Sequence, residues 1–291
     1  MVKVTRSVCL AAVLALLASS PAFSEKLREA RVIEESYTLK GDGPLRVVVD
    51  NIFGSVKVRG HQGDSVQLKA QETRFAESTE GLARSWDEVG LEVFQRDAEI
   101  EFFVDGPFRR ADCEDRRRSF HSNDRDYRVQ YDFEILVPSQ SRLLVKTIND
   151  GDIEIVDVRG DFEVSNVNGS IRLGGLAGSG SAETINGEIS AHFDVNPRAA
   201  SRFSTINGEV DVHFQPDLSA ELRLEAKWGE VWSEYAVQPL PNPAPTRRVE
   251  SGRTVIEFSS GSRVQVGAGG PILEFETLNG DIYVRRSEGS S

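Results

Sequence analysis

The sequence predicts an all-β chain wound as a β-solenoid of about 20-residue coils, entered through a more irregular β region that carries one short helix. Three observations lead there. First, a short signature recurs: Thr147-Ile148-Asn149-Asp150-Gly151-Asp152-Ile153, Asn166-Val167-Asn168-Gly169-Ser170-Ile171, Thr184-Ile185-Asn186-Gly187-Glu188-Ile189, Thr205-Ile206-Asn207-Gly208-Glu209-Val210 and Thr277-Leu278-Asn279-Gly280-Asp281-Ile282, with a degenerate copy around Trp228-Gly229-Glu230. Second, the glycines at 151, 169, 187, 208 and 229 fall 18, 18, 21 and 21 residues apart. Asn and Gly supply the turn that such a corner needs at low steric cost. Third, the residues after each glycine alternate, as in Ile189, Ala191, Phe193 and Val210, Val212, Phe214, with polar residues between. One face of each strand is therefore buried. Asn-Gly between apolar strands also fits a meander of hairpins with a similar period. The shared phase favours coils, in which Phe193 stacks on Phe214, His192 on His213, and Asn168, Asn186 and Asn207 form a ladder. From Gly151 to Gly280 there is room for about six coils, a rod roughly 30 Å long at ~4.8 Å per coil.

The elements follow in order. Residues 1–24 read as a signal peptide: Lys3 and Arg6, the apolar run Cys9 to Ala18, and the small-x-small site Ala22-Phe23-Ser24, with cleavage expected after Ser24. Export to the periplasm or cell surface is the expectation, with no transmembrane segment in the mature chain. The whole chain has Lys+Arg 34 against Asp+Glu 46, a net charge of −12, which the loss of two cations takes to −14. That balance argues against nucleic acid as a partner. A hydrophobic content of 39% with 15 Phe argues against wholesale disorder.

Residues 25–140 form the irregular β region. Leu45 to Val49 and Asn51 to Val58, turning at Gly54, reproduce the signature once, and Val66 to Ala70 follows. Residues 77–89 read as a helix with Leu82, Trp86 and Val89 on one face. Strands at 91–94 and 99–104 precede a charged loop, 105–128, around Cys113 and His121, and a strand from Arg128 closes on Pro138. Cys113 has no partner within the mature chain, so it is either a shielded thiol or a link between copies. Residues 141–286 are the solenoid. The proline-rich stretch 238–246 is expected outside the sheets, Gly261 marks a further corner, and 287–291 is a disordered tail. The last coil, around Ile282 and Val284, leaves an open edge through which copies could associate.

The run Phe133 to Pro138, then Leu143 to Asn149, then serial T-x-N-G-[DE]-[IV] coils resembles the DUF4097 putative adhesin family, a β-solenoid domain of unknown function. The resemblance extends over most of the mature chain. It implies a right-handed solenoid, export to the envelope in many members, and no established activity. Asp150, Trp228, the proline stretch and the arginine-rich loop depart from its pattern.

No zinc-protease, nucleophile-elbow, phosphate-loop or paired-cysteine motif occurs, and no organic cofactor is expected. Gly174 to Gly180 follows a strand but opens no helix, so it reads as a loop between coils. Three columns are candidates for chemistry. Acidic residues follow most corner glycines, and Glu188, Glu209 and Glu230 on adjacent coils would oppose like charges unless Ca²⁺ or a basic surface compensates, or unless they splay into water. His192 and His213 would stack outward, able to hold Zn²⁺ or Cu²⁺, to sense acid, or merely to face solvent. Trp232 and Tyr283 lie outward and could bind a sugar or a partner, while Trp228 and Tyr235 lie close by in sequence. Gly54, Asn149, Gly151, Asn168, Gly169, Asn186, Gly187, Asn207, Gly208, Gly229, Asn279 and Gly280 are structural corners. Two functions stay open: a non-catalytic envelope or surface protein, adhesin-like or scaffolding, contacting a protein or polysaccharide; or a carbohydrate-active β-helix enzyme acting on acidic polysaccharide.

Overall fold

The computed structural model describes residues 27–39, 43–109, 126–241, 246–250, 253–257 and 261–287. The signal peptide, Cys113, His121, most of the charged loop, part of the proline stretch and all but the first residue of the tail lie outside the described residues.

Among the described residues the fold is all-β with one helix, in two large sheets. In spatial order the first sheet runs β1 (Leu27–Thr38), β4 (Ser65–Ala76), β7 (Tyr127–Pro138), β3 (Val56–His61), β9 (Ile153–Val156), β11 (Ile171–Leu176), β13 (Ile189–Phe193), β15 (Val210–Phe214), β23 (Ile282–Arg286), β17 (Val231–Ser233). The second runs β18 (Val237–Pro239), β21 (Ser262–Val266), β16 (Ala220–Ala226), β22 (Ile272–Asn279), β14 (Ser201–Asn207), β12 (Gly180–Asn186), β10 (Phe162–Ser165), β8 (Arg142–Lys146), β2 (Arg46–Asp50), β6 (Glu99–Asp105), β5 (Gly90–Arg96). β19 (Thr246–Glu250) and β20 (Arg253–Glu257) pair with each other. The single helix among the described residues is α1 (Thr79–Glu88).

From β8 to β15 the chain alternates between the sheets at each corner, and every strand pairs in parallel with its counterpart one repeat away. The strict polar-apolar alternation causes this: inward side chains of both sheets meet in one core, where Ile153, Ile171, Ile189, Val210 and Ile282 are all fully buried. Phenylalanines line up as expected and further. Phe193 stacks on Phe214 at 5.0 Å, Phe203 on Phe275 at 5.6 Å, and the two stacks meet edge to face at 6.1 and 6.3 Å.

The order of coils departs from chain order. β22 and β23 insert between β14/β15 and β16/β17, so the C-terminal repeat sits inside the stack. Side-chain matching gives the reason: Thr277, Asn279 and Phe275 continue the columns of Thr205, Asn207 and Phe203. The degenerate repeat has Ala226 and Trp228 at the Thr and Asn positions, and it takes the outer place. Three expectations are corrected in consequence. Ile282 and Val284 are no open edge but are fully buried between two strands. Glu230 neighbours Asp281 rather than Glu209. Gly261 is not a coil corner, because β21 runs antiparallel to both β16 and β18. Gln238 and Pro239 are also in a strand, β18, at a sheet edge that tolerates the missing proline N–H.

At the other end, β2 and β3 stack on β8 and β9 through the Gly54 corner, and β6 and β7 stack outside them. α1 begins where Ser78 accepts a hydrogen bond from the Gly81 amide at 3.0 Å and stops as Val89 turns extended. It is fastened to the sheet through Trp86, which lies 3.9 Å from the Arg74 guanidinium and 4.6 Å from that of Arg31.

Candidate functional site

The corner that carries the repeat signature is the most regular surface of the molecule. A Cβ on Gly187 would lie 2.2 Å from the carbonyl oxygen of Gly169, and one on Gly208 2.0 Å from that of Gly187. The same contact runs through Gly54, Gly151, Gly169, Gly187, Gly208, Gly280 and Gly229 in stacking order, so backbones touch where no side chain fits. Above this column the threonines act: Thr147, Thr184, Thr205 and Thr277 hydroxyls donate to the carbonyls of Gly54, Gly169, Gly187 and Gly208 at 2.9–3.0 Å. Asn166 takes the place of a threonine and donates to Gly151 at 3.0 Å. This role of the threonines escaped the sequence reading, although their fixed position three residues before the glycine was its signal.

The asparagine ladder is present and longer than expected. Asn168, Asn186, Asn207 and Asn279 each donate to the side-chain oxygen of the asparagine before them in the stack, starting at Asn149, at 2.7–2.8 Å. Phe53 and Trp228 occupy this position at its two ends. Between the Thr and Asn columns runs an apolar one, Ile148, Val167, Ile185, Ile206 and Leu278, in which Ile185 and Ile206 are 40% and 41% exposed.

The acidic column splits by side-chain length. Asp152 accepts the Ser170 amide at 2.8 Å, and Asp281 accepts the Glu230 amide at 2.8 Å, so each aspartate caps the corner of the next coil. Burial raises the Asp152 pKa, but Arg172 and the Ser170 amide outweigh it and hold the carboxyl below its ordinary value. Glu188, Glu209 and Glu230 are exposed. No cluster of three or more His, Cys, Asp or Glu suited to a metal occurs among the described residues.

His192 and His213 stack with ring centroids 4.0 Å apart. His213 lies 3.2 Å from Asp211, which also accepts from Arg285 at 2.9 Å. Burial first, and the His213 charge second, push the His192 pKa below its ordinary value against the opposing effect of Asp211. Trp232 and Tyr283 are cross-strand partners on the outer face, whereas Tyr235 is buried and donates to the carbonyls of Phe214 and Gln215. Burial pushes its hydroxyl up to about 12.

A second surface emerges only from the register. Glu34, Lys69, Glu134, Lys57, Glu154 and Arg172 face each other in succession across six strands, a row of strictly alternating charge. Its first five residues, Glu34 to Glu154, line an open trough of about 700 Å³ on β1, β4, β7, β3 and β9 together with Leu136, Val156 and Arg59. Opposite charges directly across strands stabilise a sheet, which accounts for the row without a ligand. Further along β4, Glu72 is fully buried between Arg74 and Arg31, and Arg74 donates to the carbonyl of Ser85 in α1 and to that of Val89 just after it. Burial, then the Glu72 charge, push the neighbouring Tyr131 hydroxyl well above the phenol range.

No family model matches the chain, and no curated protein matches it. Among solved structures it is similar to a putative cell adhesion protein from Clostridium sporogenes, at 13% identity and a TM-score of 0.36, covering 88% of this chain and 100% of that one. It is also similar to a putative adhesin from Bacteroides fragilis, at 10% identity and a TM-score of 0.38, covering 88% and 97%. A putative lipid binding protein from Parabacteroides distasonis follows at 11% identity and a TM-score of 0.23, covering 90% and 97%.

Proposed function

We propose that this is an exported, non-catalytic envelope or surface protein, adhesin-like or scaffolding, built as a right-handed β-solenoid that binds through its asparagine corner. One observation supports this reading above the others: an amide ladder and an exposed isoleucine column repeat side by side along the stack. A surface that offers the same apolar and amide groups at every strand spacing suits an extended protein or polysaccharide partner of the envelope. No helix among the described residues is long and apolar enough to cross a membrane. Purified protein incubated with isolated envelope fractions is expected to sediment with them, and the pair Ile185→Lys, Ile206→Lys to release it. Unchanged sedimentation of the folded variant would overturn the assignment to this corner. Export is checked by N-terminal sequencing of the mature protein, expected to begin at Glu25.

A second reading rests on the trough, where Lys57, Arg59 and Lys69 adjoin Glu134 and Glu154. Acids beside a cation are the groups that cleavage of an acidic polysaccharide requires. Product formation from such polymers, lost in Lys57→Met and Glu154→Gln, would replace the first reading by this one.

A further inference from the structure

We infer that the protein forms a twofold dimer by antiparallel pairing of β1 with β1 of a second copy, joining the two first sheets into one. Among the described residues β1 is the edge of that sheet, with β4 as its one sheet neighbour, and spans 12 residues. Most of its residues are exposed, Val32 at 46%. An edge of this length presents a row of backbone donors and acceptors ready to pair.

Symmetry and charge select the register. A twofold axis relating antiparallel edges stands perpendicular to the sheet, so it preserves faces and must pass through a residue paired with its own copy. An axis at Arg31 or Glu34 opposes that residue to itself, and an axis at Val32 opposes Glu29 to Glu35. An axis at Ile33 sets Arg31 against Glu35 twice, Glu29 against Tyr37, Arg28 against Thr38 and Val32 against Glu34, with no like pair over Arg28–Thr38. Axes at Ala30 or Ser36 also avoid like pairs but shorten the overlap to 27–33 or 34–38. The sheet's other edge, β17, has 3 residues. A head-to-tail arrangement would therefore leave most of β1 unpaired, and the isologous pairing uses it almost fully.

Sedimentation of the purified chain, in a Cys113→Ser background, is expected to give a concentration-dependent dimer. Glu35→Arg sets arginine against Arg31 and is expected to weaken the dimer at least tenfold while leaving the melting temperature within a few degrees. Ile33→Cys is expected to cross-link on mild oxidation, because directly opposed residues lie ~4.5–5.5 Å apart at Cα, within disulfide reach. Glu29→Cys is expected not to, since its copy lies eight residues along, roughly 26 Å away. A monomer at all concentrations, a dimer indifferent to Glu35→Arg, or cross-linking at 29 but not at 33 would each overturn the proposal.

Discussion

The stacked coils and the N-terminal end of the molecule are held together by opposite means. In the coils, the same contact recurs from one repeat to the next: glycine on glycine, threonine on glycine carbonyl, asparagine on asparagine. Each column satisfies its hydrogen bonds along its own length, so a repeat needs only a matching neighbour. At the N-terminal end, dissimilar residues meet once. Glu72 between Arg74 and Arg31, with Trp86 lying over both guanidiniums, fastens one helix to long antiparallel strands. Repetition makes the coils interchangeable, which is how the C-terminal repeat fits into the middle of the stack. The N-terminal network tolerates no such exchange, because each of its partners is unique.

The sharpest way to break this contrast is to add side chains to glycines of the two regions. Gly187→Val drives a side chain into the Gly169 backbone and is expected to cost about 4 kcal/mol or more, read as loss of the urea transition. Gly90→Ala, where a Cβ meets nothing within 4 Å, is expected to stay within about 1 kcal/mol. Next in size is the buried network. Arg74→Met leaves Glu72 buried with one cation fewer and is expected to destabilise by about 3–5 kcal/mol, while Glu72→Leu with Arg74→Met recovers much of the loss. Thr205→Val then strips the Gly187 carbonyl of its hydroxyl partner, for about 1–3 kcal/mol in the same urea assay. Its converse sharpens the point: Ala226→Thr supplies the missing donor to Gly280 in the outer coil and should stabilise by roughly 1 kcal/mol.

The smallest effect is on pH dependence. His192 titrates below its ordinary value of 6.5 in the fold. The unfolded chain therefore binds the proton first as pH falls, and stability declines with acidification from about that pH downwards. His192→Gln should flatten the melting temperature across this window, and an unchanged slope would assign it to other groups.

How far the sequence could be read depended on whether a residue repeats. The corner glycines, the asparagine ladder, the stacked histidines and the Phe193–Phe214 pair were legible because a common phase places equal positions above one another. β1 was missed altogether, since an edge strand in which Ile33 and Tyr37 pack inward among mostly exposed residues has no clean alternation. The open edge expected at Ile282 and Val284 is absent, because stacking order does not follow chain order and β23 lies between β15 and β17. The trough was invisible for a related reason: its charged row draws one residue from each of five strands.

By itself, then, the sequence determined the all-β character, the period and the chemistry of the corner, because those follow from local alternation and from what glycine, threonine and asparagine can do in a turn. Only the tertiary structure decided which coil lies beside which and which strands are left at the edges. Stacking is settled by the match of side-chain columns between coils, and the best match for the Asn207 coil lies 72 residues further along the chain, at Asn279.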